Sequence, residues 1–169
     1  FPVSVNFSTA SLMQPSFVEQ LTAICSSYHI SPRYMQIEVT ERVHDMEGLD
    51  IKYLISKLRQ AGFTVAIDDF GTGYSSLNLL KKLPVDIIKI DKAFLDETET
   101  SNVSKIIIRK TVELTQELDK MVVCEGVETE EQASYLKAIH CDLAQGYLYA
   151  KPMPMDEFEK LMDSTEVVA

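Results

Sequence analysis

Six short runs rich in β-branched and other apolar residues recur along this chain, each followed by a segment whose apolar residues repeat at helical spacing. That alternation leaves few folds open. The runs are VSVNF at 3–7, MQIEVT at 35–40, FTVAID at 63–68, VDIIKI at 85–90, MVVCE at 121–125 and LAQGYL at 143–148. Amphipathic helices are predicted over 15–28, 47–61, 76–83, 102–119, 129–139 and 155–163. Ser16, Asp45 and Thr129 are the predicted caps or first-turn residues, and Gly62 is a C-terminal stop. Strands too apolar to have a wet face, each joined to the next by a helix, imply an α/β fold with a parallel sheet covered by helices.

The polar residues of these runs gather at their C-terminal ends: Asn6, Glu38 with Glu41, Asp68 with Asp69, Lys89 with Asp91, Glu125 with Glu128, and Gln145. In a parallel sheet those ends share one edge, and in a TIM-type barrel that edge is the active-site face. A TIM-barrel-like (β/α) fold is therefore expected, with about six of its eight strands in this chain and the others before Phe1. The 169 residues suffice for one domain with a sizeable core, and no Ser/Gly/Pro-rich linker divides them.

Charge narrows the function. With 26 acidic residues against 16 basic ones the net charge is −10, which disfavours DNA backbones and anionic membranes as partners. An anionic substrate would need a local cation. Cys25, Cys124 and Cys141 are odd in number and widely spaced, so neither a disulfide framework nor a zinc site is expected and a reducing cytoplasm fits. The N-terminus lacks the pattern of a signal peptide, and no run has the roughly 20 apolar residues of a membrane span.

In this order, VNFS at 5–8, EVTE at 38–41, DDFGTGYSSL at 68–77, KID at 89–91, EGVET at 125–129 and QGYLYAKP at 145–152 resemble the EAL domain family. The family comprises TIM-barrel-like phosphodiesterases that linearise the bacterial second messenger cyclic di-GMP. The resemblance covers nearly the whole chain, 1–169, as a partial domain. The Glu-Ala-Leu signature is absent, and is expected to precede this sequence along with the first strands.

Adjacent carboxylates such as Asp68 and Asp69 repel one another unless a positive charge lies beside them. Carboxylate and amide oxygens are hard ligands suited to Mg²⁺ or Mn²⁺. The resemblance implies a two-metal site with Asn6, Glu38, Asp68, Asp69 and Glu125 as ligands. A divalent pair would hold the phosphate, activate a water and neutralise charge building on phosphorus oxygens.

Lys89, Glu125 and Asp69 are the candidates for catalysis. Lys89 would orient the water and stabilise the charged transition state, while Gln145 and Asp91 would bind substrate. Glu41, Gly71, Thr72, Gly73, Tyr74, Ser75 and Ser76 match the family's regulatory loop, with Glu41 as its anchor. The resemblance also implies a homodimer, through the helix after this loop, and a GGDEF or sensory domain in the parent chain.

Each sharp reading has a plainer rival. Lys89 could pair with Asp91 for structure alone, and Asn6 could merely satisfy a loop. His29, His44 and His140 share no spacing and are placed on surfaces or helix ends. The methionines read as core fillers, and Cys124 as a small buried residue. At the level of function, the alternatives are a non-catalytic cyclic di-GMP receptor, an enolase-like barrel, or a regulatory or dimerisation fragment.

Overall fold

The structure is a computed structural model that describes residues 2–40, 50–71, 80–96 and 101–164. Six strands, β1 (Val3–Asn6), β2 (Met35–Thr40), β3 (Thr64–Phe70), β4 (Ile87–Ile90), β5 (Met121–Cys124) and β6 (Leu143–Ala144), form one sheet in chain order. Every pairing is parallel. A strand order without reversal builds the wall of a barrel, whereas a doubly wound sheet turns back at its switch point. The six strands make a half-barrel.

The helices are α1 (Thr9–Leu12), α2 (Phe17–Ser27), α3 (Ile51–Gln60), α4 (Ala93–Asp96), α5 (Asn102–Glu117), α6 (Glu130–Ala138) and α7 (Met155–Ser164). Of the helix predicted over 76–83, residues 80–83 are described and 80–82 are helical. Among the described residues no helix is long and apolar enough to cross a membrane.

Strand alternation sorts the sheet into two faces. Ile37, Val39, Val65, Ile67 and Ile88 pack outward with Leu21, Cys25, Leu54, Ile55 and Leu58 of α2 and α3. Ile90, Val122 and Cys124 do the same with Leu95, Ile108, Val112 and Leu136. The intervening residues face inward, where Ala66, Ile87 and Val123 form a small apolar cluster of their own.

Local signals set most helix ends. The Thr129 side chain accepts from Gln132 N–H and the Gln132 side chain accepts from Thr129 N–H, a reciprocal cap that opens α6. Ser16 precedes α2 but makes no side-chain cap bond. The described part of the predicted 47–61 helix starts at Ile51, where Asp50 accepts from Tyr53 N–H; Asp45 and His44 lie outside the described residues. Gly62, His29, Asp119 and His140 each stand two residues past a helix with positive φ, at 94°, 56°, 55° and 57°. This is the left-handed conformation that closes helices, and it gives two of the histidines a place.

Two strands depart from the sequence reading. β3 starts at Thr64 and runs on to Phe70, so Asp69 lies within the strand along with Asp68. β6 holds only Leu143–Ala144 of the predicted 143–148. A Cβ added to Gly146 would lie 2.1 Å from Val127 O, so the chain meets the Val127 backbone there and turns away from the ladder.

Two aspartates at the opposite end of the sheet from the polar edge tie neighbouring strands. Asp86 Oδ2 accepts from Val65 N–H at 2.9 Å, and Asp142 Oδ2 accepts from Val122 N–H at 2.8 Å. A helical side chain steadies each: Arg59 Nε lies 3.0 Å from Asp86 Oδ1, and Gln116 Nε2 donates to Asp142 Oδ1 at 3.2 Å. Neither aspartate stood out in the sequence, because an acid at the start of an apolar run has no distinctive spacing.

Candidate functional site

β2, β3, β4 and the end of β5 send one charged group each to the inner face. Lys89 Nζ lies 2.7 Å from Glu38 Oε1, 3.0 Å from Asp68 Oδ1 and 2.8 Å from Glu125 Oε1. The Lys89 and Glu38 side chains are only 7% and 4% exposed. Asn6 Nδ2 donates to Glu38 Oε2 at 2.8 Å, extending the network to β1. Lys89 therefore pairs with carboxylates of three other segments; the local pairing with Asp91 does not form.

Asp69 joins the cluster through a break in the strand. Regular alternation would turn Asp68 and Asp69 to opposite faces. Between Ile67 and Phe70, however, the pairing with β4 slips: Ile67 stands opposite Ile88, and Phe70 opposite Ile90. Asp69 sits in this bulge with φ 55°, and such bulges re-aim side chains. One carboxylate oxygen from each of Asp68, Asp69 and Glu125 then falls within 4.8 Å of the other two.

Burial alone would depress the Lys89 ammonium, but Glu125, Glu38 and Asp68 outweigh it and hold the group above its ordinary range. Burial also lifts the Glu125 carboxyl above the usual carboxylate range; Lys89 draws it back, while Asp68 and Glu38 add to the rise. Two buried oxygens, Glu38 Oε1 and Asp68 Oδ1, meet Lys89 at hydrogen-bonded ion-pair distance. Four carboxylates against one ammonium leave an excess of negative charge on a hard-oxygen set, which fits divalent cations.

Beside the cluster, Asp91, Lys92, Glu125, Glu128, Gln145 and Tyr147 line a cleft of about 240 Å³. Gln145 is exposed there, anchored by its backbone: its N–H donates to Cys124 O and its carbonyl accepts from Val127 N–H. Asp91 Oδ1 accepts from Ala93 N–H at 2.9 Å and so also holds the start of α4. Larger hollows of about 490 and 700 Å³ lie elsewhere and contain none of the clustered acids.

Of the regulatory-loop residues, Gly71 is described, with φ 99° and the Phe94 ring where a Cβ would stand. Glu41, Thr72, Gly73, Tyr74, Ser75 and Ser76 lie outside the described residues. The sequence reading missed the hub position of Lys89 and the bulge at Asp69. Only the doubled aspartate hinted at the second.

Comparison with known proteins follows the same outline. The profile of the EAL domain matches residues 1–152. The cyclic di-GMP phosphodiesterase NbdA of Pseudomonas aeruginosa is 35% identical over 161 residues, 95% of this chain and 20% of that protein. The chain thus spans about a fifth of that curated relative's length. The EAL domain of Mycobacterium smegmatis DcpA superposes with a TM-score of 0.89 at 36% identity, over 96% of this chain and 73% of that one. Klebsiella pneumoniae BlrP1, solved as a manganese and cyclic di-GMP complex, gives a TM-score of 0.84 at 33% identity, over 89% of this chain and 39% of that one.

Proposed function

The chain belongs to the EAL domain family, and from that premise we propose that it serves metal-dependent hydrolysis of cyclic di-GMP to the linear dinucleotide. The observation that carries this reading is the meeting of Lys89 with Glu38, Asp68 and Glu125 at the C-terminal edge of a parallel half-barrel. The names of the relatives point the same way.

Asn6, Glu38, Asp68, Asp69 and Glu125 would hold Mg²⁺ or Mn²⁺, which when bound supplies Lewis-acid activation of water and charge neutralisation at phosphorus. Lys89, charged and held by its surroundings, is the donor for the phosphate oxygens on which charge builds. Glu125, with its raised carboxyl, and Asp69, exposed beside it, are the groups to accept the proton of the attacking water. Gln145 and Asp91 would position the nucleotide from the adjoining cleft.

A homodimer in the cytoplasm is part of the same reading. α5 supports it by exposing Val103, Ile106 and Ile107 in a row, 64%, 52% and 43% accessible. The test is to incubate this chain, and any longer protein that carries it, with cyclic di-GMP and Mg²⁺ or Mn²⁺, and to look for the linear dinucleotide. Turnover lost in Asp68→Asn and Lys89→Ala supports hydrolysis. Tight binding without turnover replaces it with the receptor function, and an unchanged rate in Lys89→Ala removes the role given to that residue.

A further inference from the structure

Behind the acidic cluster, on the outward side of the sheet, two cysteines 17 positions apart come together. Cys124 closes β5 and Cys141 precedes β6, with their Sγ atoms 3.5 Å apart. Cys124 is fully buried, whereas Cys141 is partly accessible. The third cysteine, Cys25, is 1% exposed and has Met35 Sδ as its sulfur neighbour.

We propose that Cys141 and Cys124 are a reversible thiol pair that small-molecule disulfides convert to an intramolecular disulfide, Cys141 being the entry thiol and Cys124 the resolving one. The geometry supplies both requirements. A partly exposed cysteine takes the reagent, and a buried sulfur waits within about 1.5 Å of the roughly 2.05 Å bond length. The contact also sets the order of reaction: the Cys124 thiol lowers the Cys141 thiol against the opposing effect of burial, while Cys141 and burial push the Cys124 thiol up. Cys141 is therefore the first nucleophile, and Cys124 needs a base to take its proton.

The chemistry balances in two exchanges. The Cys141 thiolate attacks one sulfur of the reagent disulfide, forming a mixed disulfide and expelling one thiolate. Cys124 gives up its proton to that thiolate and attacks Cys141 Sγ, and the second reagent thiolate leaves and is protonated by solvent. Two protein thiols are oxidised, and one reagent disulfide is reduced to two thiols.

The test treats the folded chain with oxidised glutathione and maps thiol-blocked, non-reduced peptides by mass spectrometry. The expected product joins the Cys124 and Cys141 peptides, is reversed by dithiothreitol, and forms equally in Cys25→Ala. Cys124→Ser should instead accumulate glutathione on Cys141, and Cys141→Ser should leave Cys124 reduced, with circular dichroism confirming that both fold. Glutathione retained on Cys141 of the unaltered chain without cross-linking overturns the proposal. So does the absence of any modification while the urea-unfolded chain reacts.

Discussion

Lys89 Nζ and Glu38 Oε1, from β4 and β2, lie 2.7 Å apart across the intervening β3 on the inner face of the half-barrel, both side chains more than nine-tenths buried. Such a pair is expensive to desolvate, and removing one partner strands the other charge. Here three carboxylates depend on one ammonium. Lys89→Met, measured by urea unfolding in chelator, should therefore lose about 3–5 kcal/mol. Saturating Mn²⁺ should return a large part, about 2.7 kcal/mol at a hundred times its Kd. A Lys89→Met midpoint that Mn²⁺ leaves unmoved would show that these acids do not share a cation.

The raised Lys89 value sets a pH dependence in the metal-free chain. Because the folded value lies above the unfolded one, the contribution is complete below the unfolded lysine pKa of about 10.4 and is lost as pH rises through the folded value. Urea midpoints of the unaltered chain should fall above about pH 10.4 more steeply than those of Lys89→Met. Parallel profiles would refute the assignment.

Asp69 combines a positive φ with a place in the acidic cluster. Asparagine tolerates that backbone region, while a β-branched residue does not. Asp69→Asn should unfold within about 0.5 kcal/mol of the unaltered chain and bind Mn²⁺ about tenfold more weakly or worse. Asp69→Val should be destabilised by about 1–3 kcal/mol. Isothermal titration and chemical denaturation separate the two effects.

Asp86 and Asp142 should behave as structural ties. Replacing either with alanine removes the acceptor of a fully buried N–H, that of Val65 or Val122, and should cost about 1–3 kcal/mol. The half-exposed Arg59 pair adds little. Mn²⁺ affinity should stay within twofold or so of the original, since both ties lie at the far end of the sheet. A tenfold change would contradict the separation of the two ends.

Gly146→Ala should be among the most damaging single-methyl changes. Its Cβ would stand 2.1 Å from Val127 O and 2.2 Å from Val127 N, backbone atoms that cannot swing aside. The bond from Val127 N–H to Gln145 O, 3.0 Å, would open with the shift. Thermal denaturation should register a loss of about 1–3 kcal/mol or more, and an unchanged melting temperature would disprove the close approach.

The helix caps and the alternation of strand and helix were legible because they rest on contacts a few residues long. Thr129 with Gln132 and Gly62 after α3 are examples. The strand-end acids were legible too, as a pattern of position. Their partners were not. Lys89 reads locally as a companion of Asp91, yet it meets Glu38, Asp68 and Glu125. Nothing in the stretch between Cys124 and Cys141, 17 positions apart, announces that their sulfurs touch.

The sequence by itself determined a parallel α/β architecture and the edge on which its acidic residues stand, because hydrophobic period and local capping act within single segments. Only the tertiary structure decided which charges meet, that Asp69 turns in beside Asp68, and that two cysteines adjoin. Those outcomes depend on register between strands, and register is set by hydrogen bonds and packing between segments far apart in the chain.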